Sequence, residues 1–464
     1  MSAPDVRASW PDTLAWRLGA RPDLRSTVVA VIRLGGAPSW PVLRGRMAAM
    51  IAAEPRLRQR LAPVPLHTAP VWREDRSADL DFHLVRLALP VDACKWSDVL
   101  ELAAEEMMQD FDAGRPPWRV HLVEGLRGGD SALIWAFNHA LADGHGALAL
   151  TRYLVDPAEA PPAPVAAPTA PARRSGLLDL AGATARDMWS VQRFAVAATR
   201  SAPGALVSAA RSPFGTARAL VGDTRSVARM VDPRPRSVST VFGPRGAARR
   251  FATIDVPQPA LVPAAHRAAV HVNDAFLASV VEGVRRYHAE QGSSPPHLRV
   301  TVPVDLRRRD DPALTNRITL IRLQLPAQIT DPARRMVHVA QVVDQWLREP
   351  ALRWNDGIAA VLDLLPAGWT AGVFRSSDLL ASDVHGPPVG FSIAGAPVTG
   401  LYPFGPTLGT AVNITLLSLA GRCHVGVTID ATAVSDPDLL LECLEQGFGD
   451  TLRVGGHHAG AAAR

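Results

Sequence analysis

The part of this chain whose residue types best suit catalysis is an HxxxDG motif. His139 is followed four positions later by Asp143 and then by Gly144. An apolar run at 132–135 precedes the motif and predicts a strand, and the run 147–150 after it predicts a helix. Histidine has the ordinary pKa closest to neutral pH, so an imidazole fixed at the end of a strand suits the removal of a proton from a hydroxyl group. The motif is short, so its meaning depends on the rest of the chain.

The elements that must hold this motif alternate between strand and helix. Strands are predicted at 27–32, 82–89, 120–124, 132–137, 251–256, 298–304, 318–325, 390–393, 412–417 and 424–429. Further helices are predicted to begin near residues 39, 97, 272, 331 and 436. This alternation predicts an α/β fold of two lobes with a cleft between them.

Changes in composition divide the chain into five parts. We expect an N-terminal lobe with the HxxxDG motif at 1–156, a Pro- and Ala-rich linker at 157–174, a helical connecting segment at 175–249, a C-terminal lobe at 250–452 and a disordered tail at 453–464. The connecting segment has two interpretations: its helices pack on the protein body, or their apolar face adsorbs to a membrane surface.

The overall composition argues against several classes of protein. The chain has 464 residues, 47% of them hydrophobic, and no apolar run of about 18 residues that would span a membrane. Its first residues lack the pattern of a secretory signal, so we expect a cytoplasmic protein. Three cysteines without a CxxC spacing argue against a disulfide framework and a zinc site. The net charge is +5, but no basic run is interleaved with aromatic residues, so nucleic-acid binding is not expected.

Further motifs, taken together with HxxxDG, make the chain resemble the bacterial wax ester synthase/acyl-CoA:diacylglycerol acyltransferase family. The resemblance extends from about Arg56 to Leu452. The motifs that carry it lie at 55–61, 70–72, 115–118, 123–126, 249–252, 272–274, 395–406, 413–415 and at Gly426.

The resemblance implies a fold related to chloramphenicol acetyltransferase and to condensation domains, with a tunnel between the two lobes. Acyl-CoA would enter the tunnel from one side as co-substrate and the alcohol from the other, and neither a metal nor a bound cofactor would be required. His139 would be the general base, taking the proton of the hydroxyl group and returning it to the departing CoA thiolate.

The resemblance also suggests roles for residues around the histidine. Asp143 either orients His139 or, as we favour, braces the loop by pairing with Arg307. Gly144 would let the backbone turn sharply into the next helix. Asn273 would either donate a hydrogen bond near the reacting centre or cap its own helix.

One departure from the family pattern concerns the motif itself. The family usually has two histidines in tandem, and here Asn138 occupies the first position. Our main hypothesis is an O-acyltransferase that moves a long-chain acyl group from acyl-CoA to diacylglycerol or a fatty alcohol, in the cytoplasm and peripheral to the inner membrane face or to lipid droplets. The alternatives are an acyltransferase for a specialised lipid or polyketide alcohol and a catalytically weakened lipid-binding protein.

Overall fold

The computed structural model describes residues 5–64, 69–75, 79–156, 239–307, 314, 316, 318–349, 362–363 and 372–456. The linker expected at 157–174 and most of the expected connecting segment, up to residue 238, lie outside the described residues. The strands are β1 (Val6–Arg7), β2 (Thr27–Leu34), β3 (Gln59–Ala62), β4 (Val71–Glu74), β5 (Leu84–Ala88), β6 (Trp118–Glu124), β7 (Ser131–Asn138), β8 (Arg249–Pro257), β9 (His297–Asp305), β10 (Ile318–Pro326), β11 (Leu379–His385), β12 (Ser392–Ile393), β13 (Ala396–Phe404), β14 (Val412–Leu419) and β15 (Arg422–Asp430). The helices are α1 (Trp10–Gly19), α2 (Trp40–Ala53), α3 (Leu80–His83), α4 (Trp96–Met108), α5 (Gly144–Leu150), α6 (Gln258–Arg267), α7 (Val272–Glu290), α8 (Pro332–Leu347) and α9 (Pro437–Val454).

Two six-stranded sheets form the two lobes and confirm the α/β fold expected from the sequence. The first sheet has the order β12-β13-β2-β7-β6-β5, and the second has the order β10-β9-β11-β14-β15-β8. Strand β7, which leads to the HxxxDG motif, is buried along its whole length and pairs with β2 and β6. A strand buried on both faces and paired on both edges is a rigid support for the residue that follows it.

Helices cover the outer faces of both sheets because their apolar stripes need a partner. In the second lobe, α6, α7, α8 and α9 contribute to one core with the strands of the second sheet. In the first lobe, α4 packs on β2 and β7 and also reaches Phe251 of the second lobe. The two lobes therefore share part of their core.

A strand exchange joins the lobes. Strands β12 and β13 lie within the range expected to form the C-terminal lobe, yet β13 pairs with β2 at the edge of the first sheet. The backbone of Pro403 in β13 packs directly on Gly426 in β15, where an added Cβ would lie 2.0 Å from the Pro403 carbonyl oxygen. The ring of Phe404 stacks on Phe251 of β8 with centroids 4.0 Å apart. The domain boundary predicted at residue 250 therefore does not separate the two sheets, because β12 and β13 follow it in the chain but lie in the first sheet.

The structure differs from the sequence prediction at several element boundaries. The strand expected at 82–89 begins with the short helix α3, since Asp79 caps that turn by accepting from the backbone N–H of Asp81. Residues 239–248, expected to be helical, are irregular. Helix α9 continues to Val454 and enters the range expected to be a disordered tail, because Leu452 and Val454 pack on the core of the second lobe.

Candidate active site

The catalytic candidate His139 follows directly on β7 at the junction of the two lobes. Its backbone N–H donates to the carbonyl oxygen of Ser26 at 2.8 Å. The preceding residue, Asn138, is buried; its amide nitrogen donates to Ser26 Oγ at 3.2 Å, and its Oδ1 accepts from the backbone N–H of Ala140 at 2.9 Å. Three hydrogen bonds therefore fix the turn on which the imidazole sits.

The His139 side chain lines a pocket with about 880 Å³ of empty space, part of it open to solvent. One wall comes from α1 of the first lobe and another from β10 of the second lobe. The described lining residues are mainly apolar: Pro11, Leu14, Ala15, Leu18, Ile318, Leu320, Leu362, Val373, Phe374 and Leu408, together with the more polar Ser26, His139, Asn316, Thr319 and Arg322. Such a pocket suits an aliphatic substrate with one polar group.

Burial in this pocket lowers the pKa of the His139 imidazole, although the carboxylate of Asp143 and a hydrogen bond from the ring to its own backbone partly oppose the change. A lowered pKa keeps the imidazole neutral at neutral pH, as a general base requires. In the tautomer that carries its ring proton on Nδ1, the unprotonated Nε2 is the basic atom.

Asn316 is a site residue that the sequence analysis missed. Its side-chain nitrogen lies 3.4 Å from both the Nδ1 atom and the carbonyl oxygen of His139, and the carbonyl accepts its N–H. Asn316 stands 177 positions away in the chain and belongs to the other lobe. Nothing in the spacing of residues connects it with His139, because the contact depends on how the lobes dock.

Asp143 is buried and turned toward Arg307, whose Nη2 lies 2.8 and 2.7 Å from its two carboxylate oxygens. The same carboxylate caps α5 by accepting from the backbone N–H of Gly146 at 2.8 Å. Because Arg307 follows β9 of the second lobe, this ion pair ties the two lobes together beside His139.

Gly144 is the first residue of α5, and its φ is not in the left-handed region. The chain turns between β7 and α5 without a left-handed conformation at Gly144, so backbone conformation does not require glycine there. An added Cβ would lie 3.4 Å from the side chain of Val384 on β11, at the edge of ordinary van der Waals contact.

Comparison with known proteins agrees with this geometry. The wax ester synthase/diacylglycerol acyltransferase catalytic domain matches residues 23–276, and the WS/DGAT C-terminal domain matches residues 314–451. The chain belongs to this family. It is therefore an acyl-CoA-dependent O-acyltransferase, as the motifs implied.

Two relatives of this family member come from Mycobacterium tuberculosis, and both are named as diacylglycerol O-acyltransferases. One is 32% identical over 460 residues, covering 96% of this chain and 91% of the relative. The other is 27% identical over 430 residues, covering 90% and 89%.

Solved structures share the fold. The wax ester synthase/diacylglycerol acyltransferase from Marinobacter aquaeolei VT8 has a TM-score of 0.63 and 21% identity, covering 97% of this chain and 100% of that one. The starter condensation domain of rhizomide synthetase, solved with C8-CoA, has a TM-score of 0.62 and 14% identity, covering 98% and 96%. The expected relation to condensation domains is confirmed for the fold.

The other motifs of the acyltransferase lie in places with structural explanations. Asn273 is the second residue of α7, and the cap of that helix is made by Asp274, which accepts from the backbone N–H of His271 at 2.9 Å. Asn273 is not among the described lining residues of the His139 pocket. Trp118 is buried, donates to the carbonyl of Leu57 and stacks on another ring.

The motif at 395–406, with 413–415 and Gly426, marks the strand exchange. Asn413 donates to the carbonyl of Pro406 at 2.7 Å and accepts from the hydroxyl of Thr415 at 3.0 Å. These bonds hold the chain where it returns from β13 in the first sheet to β14 in the second. This motif therefore belongs to the junction of the lobes.

The described residues contain no group of three or more His, Cys, Asp or Glu side chains that could hold a metal ion. Among the same residues, no helix is both long and apolar enough to cross a membrane.

Proposed function

We propose that this acyltransferase moves a long-chain acyl group from acyl-CoA to the hydroxyl of diacylglycerol or of a fatty alcohol, with His139 as the general base. The observation that carries this proposal is a neutral imidazole on the wall of a largely apolar pocket between the lobes. The names of the two mycobacterial relatives support diacylglycerol as acceptor.

The chemistry needs few groups because a thioester is already an activated acyl donor. Nε2 of His139 would accept the hydroxyl proton as the oxygen attacks the thioester carbon. The tetrahedral intermediate then collapses, the C–S bond breaks, and the imidazolium returns the proton to the CoA thiolate. A positioned base of this kind contributes about 10²–10⁴-fold to the rate.

The surrounding residues would hold His139 and the lobes in position rather than transfer protons. Asn138 would hold the turn that carries the imidazole, and Asn316 would fix its backbone carbonyl. Asp143, Gly144 and Arg307 would keep the lobes in register beside it. Asn273 stays a prediction as a hydrogen-bond donor.

We further propose that the enzyme works in the cytoplasm and collects its lipid substrates at a membrane or droplet surface, without a resident cofactor. The apolar walls of the pocket support lipid substrates, which are scarce in water.

The test is acyl transfer from labelled palmitoyl-CoA, with diacylglycerol and hexadecanol offered in parallel. Wild type, His139→Ala and the control His338→Ala, an exposed histidine on α8, are compared. Ester formed by wild type and the control but lost in His139→Ala would support the proposal, and the preferred lane would name the acceptor. A folded protein that binds palmitoyl-CoA and forms no ester in either lane would favour the lipid-binding alternative.

A further inference from the structure

A leucine in the wall of the His139 pocket has a backbone conformation that leucine rarely adopts. Leu408 has a φ of 46°, and the next residue, Gly409, has a φ of 80°. Positive φ costs glycine little, but in a residue with a bulky side chain it is an outlier. Of the five non-glycine residues with positive φ in the described part of the chain, Leu408 alone lines this pocket. Strained backbone is concentrated at functional sites, so the position calls for an explanation.

The strained conformation belongs to a tight turn between β13 and β14. The turn is closed by the backbone N–H of Thr410, which donates to the carbonyl oxygen of Thr407 at 2.9 Å. Positive φ at both central residues is the pattern of a type I′ turn, where asparagine, aspartate and glycine are favoured. The N–H of Gly409 donates to the carbonyl oxygen of Asp23 in the first lobe at 3.1 Å, and its own carbonyl accepts from Arg245 Nε at 3.2 Å. These bonds fix the turn and the leucine that it carries.

Leu408 lies at the boundary between the main pocket and a second space, which we call the inner cavity. The inner cavity has about 210 Å³ of empty space and is the more enclosed of the two. Four residues line both spaces and form the boundary between them: Leu320, Arg322, Phe374 and Leu408. Among these four, Leu408 is the one with a strained backbone. The strain therefore holds an apolar side chain where the two spaces meet.

The inner cavity suits an aliphatic chain because its polar groups already have partners. The hydroxyl of Thr301 donates to Ser377 Oγ at 2.8 Å, and that of Thr410 donates to the carbonyl of Thr407 at 2.7 Å. Arg322 has an interaction of its own within the protein. The other described residues around the cavity are leucines and a phenylalanine. Such a space accommodates CH₂ groups rather than a polar headgroup.

We infer that Leu408 ends the binding site for the aliphatic chain. Its side chain closes the inner cavity against the main pocket and so limits the length of the chain that reacts at His139. This inference rests on the proposed acyl transfer and names a residue that determines the specificity of the same pocket. Glycine would suit the turn better but would open the boundary, and asparagine would place a polar group in it. The chain in question is either the acyl chain of the thioester or the chain of the alcohol.

The experiment measures chain-length profiles with each substrate varied in turn. Acyl-CoA thioesters from decanoyl-CoA to docosanoyl-CoA are offered with hexadecanol, and alcohols from decanol to docosanol are offered with palmitoyl-CoA, in steps of two carbons. The enzymes are wild type, Leu408→Ala, Leu408→Gly and the control Leu14→Ala. Leu14 is also a half-buried leucine of the main pocket, but it is not among the described lining residues of the inner cavity.

The wild-type limit is the longest chain at which kcat/KM still rises with length. For the next chain in the series, we expect kcat/KM of Leu408→Ala to exceed that of wild type by about 15-fold, since two more CH₂ groups become buried and each is worth about fourfold. Leu14→Ala should leave the limit unchanged. The arm in which the limit moves identifies the chain as acyl or alcohol. An unchanged limit for Leu408→Ala in both arms, or an equal shift in Leu14→Ala, would overturn the inference.

Leu408→Gly tests the strain and also covers the case in which Leu408→Ala does not fold. Glycine adopts positive φ without steric cost, so this variant should melt at a higher temperature than Leu408→Ala and show the same shift of the limit. A melting temperature at or below that of folded Leu408→Ala would contradict the strained turn, and an unchanged limit would contradict the boundary.

A binding measurement separates this inference from the proposed function. If no substrate yields His139-dependent ester, the proposed function fails, and displacement of a fluorescent fatty acid by a series of saturated fatty acids then tests Leu408 alone. A longer preferred acid in Leu408→Ala or Leu408→Gly than in wild type supports the boundary at Leu408. The same preferred acid in all three proteins refutes it.

Discussion

His139 and His424 each have an aspartate nearby, and the two sites differ in how that aspartate is held. His424 on β15 lies 2.7 Å through its Nδ1 from Asp255 Oδ1, and the hydroxyl of Tyr402 donates to the same carboxylate at 3.1 Å. The carboxylate is the central member of this group, whereas in a catalytic triad the histidine is central. His139 has no such partner among the described contacts, because Asp143 is held by Arg307 and by the cap of α5.

The difference shows that a His–Asp contact is neither necessary nor sufficient for a candidate catalytic site. His424 is packed between strands of the two lobes, with Tyr402 edge-on at 5.0 Å, and neither residue lines the pocket of His139. Burial alone would raise the pKa of Asp255, but the hydrogen bonds from His424 and Tyr402 outweigh it and hold the pKa below its usual range. The His424 site therefore joins lobes, whereas His139 faces an open pocket.

The largest expected effect is on the rate. His139→Ala should lower kcat with the preferred acceptor by about 10²–10⁴-fold, because it removes the base. His424→Ala should leave kcat within about tenfold of wild type and lower the melting temperature instead. Labelled-ester assays and thermal melts on both variants check this. A larger loss of kcat in His424→Ala than in His139→Ala would reverse the assignment of the two sites.

Asp143→Asn tests whether Asp143 stabilises the contact between the lobes or takes part in the proton transfer by His139. The change leaves the partly buried Arg307 without its ion pair, which should cost about 3 kcal/mol of the free energy of unfolding. It also removes a charge that raises the pKa of His139, so the acid limb of the kcat/KM profile should move to lower pH.

A relay role for Asp143 would give a different result. Loss of an aspartate that sets the histidine tautomer costs about 10⁴-fold in kcat. A fall of that size in folded Asp143→Asn, without a shift of the acid limb, would contradict the bracing role. Urea unfolding and a pH–rate profile on the same preparation separate the two cases.

Gly426→Ala tests the junction beside His424. The new Cβ would meet the Pro403 carbonyl oxygen at 2.0 Å, and because both partners are backbone atoms within sheets, neither moves cheaply. We expect a loss of about 1–3 kcal/mol in the free energy of unfolding. The matched control is Gly45→Ala in α2, where nothing lies within 4 Å and a gain of about 1 kcal/mol is expected. Equal melting temperatures for the two variants would show that the junction is loose.

The two sites also differ in how far the sequence could predict them. His139 lies in a short motif whose chemistry is visible in the residue types, and the pairing of Asp143 with Arg307 is what the resemblance to the family implies. The strand exchange is not visible, since β13 has the pattern of a strand whichever sheet it joins. Asn316 and the α1 wall escape prediction for the same reason: their contacts form only when distant parts of the chain dock. The charged residue Arg322 looks like a surface position within an ordinary strand pattern, and only the structure places it in the pocket.

Asp12 is, like Asp143, a buried aspartate, but its arginine partner is more distant. Asp12 on α1, the helix that forms one pocket wall, lies 4.0 Å from Arg56. Burial raises the pKa of Asp12 to about 6, with Arg56 opposing the change. The folded protein thus holds this proton more tightly than the unfolded chain, whose carboxyl has a pKa of about 3.9, so the contribution of Asp12 to stability declines as pH rises from about 4 to 6.

Asp12→Asn removes that dependence. Between pH 5.0 and 7.5, the free energy of unfolding of wild type should fall by about 1 kcal/mol relative to Asp12→Asn, as measured by urea unfolding at both pH values. The double variant Asp12→Asn with Arg56→Met shows what the loss of the Arg56 contact contributes. That loss should change the difference in free energy of unfolding between the proteins by the same amount at both pH values. If the difference in free energy of unfolding between wild type and Asp12→Asn is the same at both pH values, Asp12 is as well paired as Asp143. A distance of 4.0 Å between Asp12 and Arg56 would then suffice for that pairing.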